Sequence, residues 1–350
     1  VPLSGGTGFL YPVFNREKSG ELMKTMGLNF TRAVRSAIVA GTAILAVPAF
    51  AQTGLHTMHA QGDVYMVVGP NYNAAVQIGK DGVLVVDPGP EADADALVAE
   101  IRKLSPQGTI RFIIDTSVHS DRTGANAKIA EAGKQIVGGN FAGQVGAAEG
   151  GVSGGAVIVA HENVLNRMSA PPAAGQKALP AAAWPEDTFF GNEKNLFFNG
   201  EAIEVIHIPA ASTDGDVMAF FRRSDVIVAG DIFTPDRYPY IDLALGGNIQ
   251  GIVDGLNRLI AVTIPADKQE GGTYVIPGRG RLCDQADIVE YRDMSTIIRD
   301  RVRDMVKKGM TLEQVKAAKP TRDYDPLYGA TSGPWTTDMF VEAVYKSLKK

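Results

Sequence analysis

Between Phe112 and Asn126 an apolar, β-branched run gives way to Ser117, His119, Asp121 and Arg122, followed at once by Thr123-Gly124. A hydroxyl, an imidazole and a carboxylate are the types that serve as nucleophile, general base and orienting acid in hydrolysis. A guanidinium beside them can receive an oxyanion or hold an anionic group. Phe112-Ile113-Ile114 reads as a strand buried on both faces. A helix beginning at about Ala125 would hold the polar residues at its N-terminal end, where unpaired N–H groups favour negative charge.

The elements that position this loop follow from hydrophobic period and turn chemistry. Residues 64–68, 74–78 and 83–86 read as strands, with Lys80-Asp81-Gly82 as the hairpin turn between the second and third. The third ends at Asp87-Pro88-Gly89, and a helix follows with Leu97, Val98, Ile101 and Leu104 on one face. Beyond the loop, a helix over about 126–132 leads to Gln135-Ile136-Val137 and a glycine-rich stretch from Gly138 to Gly155. That stretch lacks the Lys-Ser/Thr ending of a phosphate cradle and reads as a flexible surface loop. A strand at 156–160 and a short helix at 162–168 precede a Pro/Ala-rich connector over 170–185. Strands at 196–198, 202–208, 217–221 and 226–229, a helix at 249–261 and a strand at 274–276 make up the second half. A charged amphipathic helix spans 284–308, and Thr311 with Gln314 has the spacing of a capping box. Alternating strands and helices in two similar halves fit an α/β fold of two sheets covered by helices on their outer faces.

Composition bounds the function classes. The 350 residues are 45% hydrophobic with a formal net charge of −5, as in an ordinary globular protein, and no basic block asks for nucleic acid. Residues 1–22 carry no readable pattern. Residues 23–51 resemble a secretory signal: Lys24, Arg32 and Arg35 precede an apolar run over 37–47, and Ala49-Phe50-Ala51 offers a small-x-small cleavage site. An apolar run of about 11 residues is short for a span that needs roughly 20, so the expectation is cleavage, export to the periplasm or medium, and no membrane association afterwards. The single cysteine, Cys283, excludes an intramolecular disulfide and a multi-cysteine zinc site. Residues 52–305 are expected to form the main domain and 306–350 a C-terminal helical extension.

The frame Thr116-Ser117-Val118-His119-Ser120-Asp121-Arg122-Thr123-Gly124 resembles the signature loop of the metallo-β-lactamase superfamily, Thr-His-x-His-x-Asp-His-x-Gly. In that signature the His and Asp side chains bind one or two zinc ions. The resemblance extends over roughly residues 61–300 and implies the αββα sandwich of that superfamily. It also places three further ligand positions. Ser212, within Ala211-Ser212-Thr213-Asp214-Gly215, stands where a histidine belongs; Gly230-Asp231 keeps the bridging carboxylate; Pro277-Gly278-Arg279-Gly280 has arginine where the last histidine belongs. His119, Asp121 and Asp231 keep their type, while Ser117, Arg122, Ser212 and Arg279 do not.

Zinc takes three or four His, Cys or carboxylate donors, and arginine brings a permanent positive charge where a cation would sit. The pattern therefore predicts that Arg122 and Arg279 face Asp121 and Asp231, replace the second metal's charge and leave no resident metal cofactor. The leading expectation is a protein without normal zinc-dependent hydrolysis that binds an anionic small molecule through Arg122 and Arg279. Two alternatives are hydrolases of small ester, lactone or amide bonds. In one, Ser117 or Ser212 is the nucleophile, His119 the base and Asp121 its orienting acid, with the arginines receiving the oxyanion. In the other, His119, Asp121 and Asp231 hold one weakly bound zinc. Tyr240, in Tyr238-Pro239-Tyr240-Ile241-Asp242, is expected to wall the pocket against an apolar or planar substrate. His207 is expected to be packed or at the surface, His161 to cap a helix or lie at the surface, and His56 and His59 to be solvated.

Overall fold

The structure, a computed structural model, describes residues 54–134, 154–171 and 179–349. The expected signal segment and most of the glycine-rich stretch lie outside these residues. Two sheets face each other. The first, in order β1 to β7, comprises His56–Gln61, Val64–Val68, Asn73–Gly79, Gly82–Val86, Ile110–Ile114, Val157–His161 and Asp187–Phe189. Strands β1 to β4 form an antiparallel meander, and β4 to β7 run parallel. The second sheet has the order β12-β11-β10-β9-β8, with β8 Glu193–Phe198, β9 Glu201–His207, β10 Val217–Phe221, β11 Val226–Gly230 and β12 Tyr274–Pro277. β12 is parallel to β11 and the other pairs are antiparallel.

Side-chain alternation builds the layers. In β4, Leu84 and Val86 enter the core between the sheets, while Val83 and Val85 pack outward against Leu97 and Ile101 of α1 (Ala94–Leu104). In β10, Val217, Ala219 and Phe221 face inward, and Met218 and Phe220 meet an outer layer. That layer contains α5 (Ile249–Val262), α6 (Gln285–Lys307), α7 (Leu312–Ala318) and α9 (Thr337–Leu348), which share one core from Ile206 to Tyr345. This period of two is what makes both faces of each sheet apolar and requires helices outside. The C-terminal helices thus continue the outer layer of the second sheet. Both sheets and both helical layers match the αββα expectation.

Some elements, β1 and β7 among them, went unread in the sequence. β1 begins the first sheet; its His56 and His59 are exposed, as expected of solvated side chains. The helix expected from Ala125 is two pieces, α2 (Ser120–Thr123) and α3 (Asn126–Glu131), and α2 already holds Asp121 and Arg122. Gly124 sits between them because a Cβ there would lie 2.5 Å from the Ser120 carbonyl oxygen.

Candidate functional site

The site lies where β5 and β11 end side by side, the usual place for chemistry in sheets with parallel pairs. Gly230 closes β11 with φ 53°, and a Cβ there would lie 2.1 Å from Thr116 Oγ1, so glycine lets the two strand ends meet. Asp231 follows directly. Thr116 is fixed by Asp87 at the end of β4, accepting its N–H at 2.8 Å and its hydroxyl at 2.5 Å.

Arg122 occupies the centre. It is fully buried, and its guanidinium donates to Asp231 Oδ1 from Nη2 at 2.6 Å and from Nε at 3.1 Å. Nη1 donates to the Gly278 carbonyl at 2.7 Å, and Asp121 Oδ2 lies 3.6 Å from Nη2. Gly278 has to be small here, since a Cβ would stand 2.8 Å from Arg122 Nη2. Burial opposes charge on Arg122, but Asp231, Asp121 and Asp87 outweigh it and hold the guanidinium protonated. Burial likewise opposes a charged Asp231, and Arg122 and His119 overcome it, leaving the carboxyl far below its usual range.

His119 takes the other oxygen. Its Nδ1 donates to Asp231 Oδ2 at 2.8 Å, and Nε2 faces Asp242 Oδ2 at 3.7 Å. Burial disfavours the imidazolium, yet the bonds to Asp231 and Asp242 win and raise its pKa to about 10. At neutral pH this histidine is a cation between two carboxylates, so it has no free lone pair to act as a base. Ser117 Oγ is 3.2 Å from the same Nδ1. A serine–histidine–acid relay needs the serine and the acid on different ring nitrogens, and here both fall on one. The acid that orients His119 is also Asp231, whereas Asp121 has its side chain 41% exposed and turns toward Arg122, correcting the expected role. Ser212 is buried with its hydroxyl lacking a partner.

Arg279 departs from expectation. Its Nε donates to Asp236 Oδ2 at 2.9 Å, on the rim, and it makes no ion pair with Asp121 or Asp231. The sequence frame put two guanidiniums at the acids, and the structure brings one. The turn carrying Arg279 packs on residues 235–236 instead, with Gly280 Cα so placed that a Cβ would lie 3.4 Å from Pro235 Cγ.

Besides Tyr240, expected from the sequence at the pocket wall, several contributors were not singled out in the sequence. Asp216, held by the Thr213 N–H and hydroxyl, each at 2.7 Å, lies near His119 and Asp231, and burial pushes its pKa to about 7. Burial similarly raises Asp87 to about 6. Asp242 closes on His119 and accepts from the Ala244 and Leu245 N–H groups at 3.0 and 3.1 Å. Tyr240 stands edge-on to His119, ring centroids 5.1 Å apart, and Trp335 stands edge-on to Tyr240 at 4.7 Å. Trp335 Nε1 donates to the Pro239 carbonyl at 3.1 Å. Nearness to the Gly230-Asp231 turn signalled Asp242; nothing local to Trp335 signalled its place, which depends on how the C-terminal segment packs.

The remaining histidines lie elsewhere. His161 caps α4 (Glu162–Met168), accepting from the Asn163 N–H at 3.3 Å, and stacks on His207 with ring centroids 3.6 Å apart. His207 Nε2 donates to the Asp214 carbonyl at 2.9 Å. A concavity of about 490 Å³ beside His207 is lined by Ile206, Pro209, Asp254 and Arg258, away from His119.

The sequence profile described as the metallo-beta-lactamase superfamily matches residues 67–278, well over half of the chain. The chain belongs to that superfamily. Among solved structures, the fold is similar to that of the stereoselective inverting sec-alkylsulfatase Pisa1 from Pseudomonas sp., at 14% identity and a TM-score of 0.58 over 83% of this chain. The chain spans about half of the Pisa1 chain, 50%. BLEG-1, a B3 metallo-β-lactamase, aligns at 20% identity with a TM-score of 0.49, over 67% of this chain and 99% of its own. Likeness at these identities speaks to fold alone. A search of curated proteins returned no match.

Proposed function

We propose that this superfamily member is a metal-independent small-molecule-binding protein, in which Arg122 supplies the positive charge that a second metal would supply, and that it lacks zinc-dependent hydrolysis. One observation carries the reading: the Arg122 guanidinium lies 2.6 Å from Asp231 and 3.6 Å from Asp121, between the two acids a metal would need. Arginine stays protonated at any working pH, so it does not step aside as a lysine could. Both Asp231 oxygens are engaged, one by Arg122 and one by His119. With serines at two former histidine positions, the residues present do not fit a closed tetrahedral zinc site.

Arg122 itself is sealed from solvent, so it is not the receptor for an anionic ligand that its residue type suggests. The ligand surface is instead the partly exposed face formed by His119, Tyr240 and Trp335, which would border the cleft, where aromatic edges suit an apolar or planar group. Metal-free hydrolysis through Ser117 has little support, because His119 is held as a cation and offers Ser117 only a nitrogen already bound to Asp231. The apolar run over 37–47 and the Ala49-Phe50-Ala51 triplet support export as part of the same reading.

A single-metal hydrolase is the second reading, favoured by one observation. Donor atoms of His119, Asp121 and Asp231 lie within 4.8 Å of one another. Elemental analysis of protein produced with added zinc and purified without chelator separates the two. Well under one zinc per chain is the expected result. Close to one per chain, with stability lost on chelation and β-lactam or lactone hydrolysis restored by zinc, establishes the second reading instead.

A further inference from the structure

The segment from Asp231 to Asp242 carries six ionisable side chains, and their partners differ; Tyr238 Oη donates to Asp325 Oδ1 at 2.8 Å. Asp231 is held by Arg122 and His119, Asp236 by Arg279, and Asp242 by His119 and two backbone N–H groups. Tyr240 packs between His119 and Trp335. Arg237 has a pinned backbone but a side chain without a hydrogen bond or ion pair among the described residues. Its N–H donates to the Thr234 carbonyl at 3.3 Å and its own carbonyl accepts from Tyr291 Oη at 3.0 Å, while Nε is buried without a partner.

A partly buried guanidinium whose Nε has no acceptor is an unfavourable arrangement, which an oxyanion from outside the chain would relieve. Burial disfavours its charge and Arg279 adds repulsion, which Asp231, Tyr291 and Asp236 offset only in part. Arg279 engages only Nε with Asp236, leaving both terminal nitrogens for another acceptor. The Arg279 turn rests on residues 235–236, beside Arg237 in the chain. The two guanidiniums are close enough to repel one another, and Arg237 acts on the Tyr240 hydroxyl as well.

We propose that Arg237 and Arg279 form an anion subsite at the rim of the cleft, which receives a carboxylate, sulfate or phosphate group of a small molecule whose apolar part lies against Tyr240. Planar guanidinium donors match such oxyanions in pairs. The subsite names the ligand class of the cleft described above and rests on the reading of that cleft as a binding site, though not on the absence of zinc.

The test titrates the full chain with sodium benzoate, sulfate and phosphate, followed by isothermal titration calorimetry at low ionic strength and constant pH. Saturable binding is expected for at least one anion. Affinity should fall at least tenfold in Arg237→Gln, less in Arg279→Gln, and be partly kept in Arg237→Lys. Benzoate binding should also weaken in Tyr240→Ala, whereas inorganic sulfate or phosphate binding should not. Arg237→Gln should unfold at about the same temperature as the parent without ligand, because it removes a partly buried guanidinium whose Nε has no acceptor; this keeps loss of binding distinct from loss of folding. Unchanged affinity in a folded Arg237→Gln variant, or no saturable binding of any of the three anions, overturns the subsite. One zinc per chain alongside anion binding lost in Arg237→Gln would instead overturn the metal-free reading and leave the subsite standing.

Discussion

Arg122 and Arg279, which the sequence frame sets against signature histidines, do opposite things. Arg122 is fully buried, shares its donors between Asp231 and Gly278, and leaves no surface for a ligand. Arg279 is partly exposed, holds Asp236 with one nitrogen, and presents the others outward. One residue type thus seals the centre in one place and faces solvent in the other. Position in the fold decides which: Arg122 rises from α2 beneath the strand ends, and Arg279 sits on a turn at the edge.

Breaking that contrast at its strong end gives the largest effect. Arg122→Ala leaves Asp231 buried beside His119 alone, and removing one partner of a buried ion pair is expected to lower unfolding stability by about 3–5 kcal/mol in urea denaturation. A loss within about 1 kcal/mol, the range of exposed pairs, would mean that the buried contact does not hold the centre together.

Protonation sharpens the contrast next. The folded pKa of His119, raised to about 10 above an ordinary value of 6.5, contributes stability that is fully present below about pH 6.5 and is lost as pH rises through about 10. His161 behaves in the opposite sense. Burial and the stacked His207 lower it to about 4, so its contribution is present above about pH 6.5 and is lost as pH falls toward 4. Denaturation midpoints measured from pH 4 to 10 should flatten on the alkaline side in His119→Gln and on the acid side in His161→Gln. Loss of the acid limb in His119→Gln would reverse the assignment.

Arg279→Ala comes third, with a stability loss expected below about 1 kcal/mol because the pair is on the rim and solvent-screened. Ser212→Ala is the smallest. Its hydroxyl is buried and unpaired, so deleting it should leave thermal stability unchanged or slightly raised. A clear fall in melting temperature would show that Ser212 has a partner the geometry does not reveal.

Much of this molecule could be read in its sequence because period and turn chemistry are local. Leu84 and Val86 against Val83 and Val85 announce a strand apolar on both faces, and such strands need helices outside them. The loop frame from Thr116 to Gly124, with Gly230-Asp231, placed His119, Arg122 and Asp231 together before any coordinates. Arg279 was misplaced because a frame fixes where a backbone turn lies, while the side chain chooses among the acids within reach, and Asp236 was nearer. Arg237 and Trp335 could not be found that way. Their roles come from a partner that is lacking in one case and a long-range packing contact in the other, and neither leaves a mark on the residues alongside.

The central claim is that a guanidinium holds the acids a metal would otherwise hold. Zinc titrated calorimetrically into the chelator-treated parent and into Arg122→His tests it most directly. The account predicts no stoichiometric zinc binding by the parent and a measurable gain in the variant, which exchanges the cation for a ligand. Tight binding of one zinc by the parent, unaltered in Arg122→His, would contradict it.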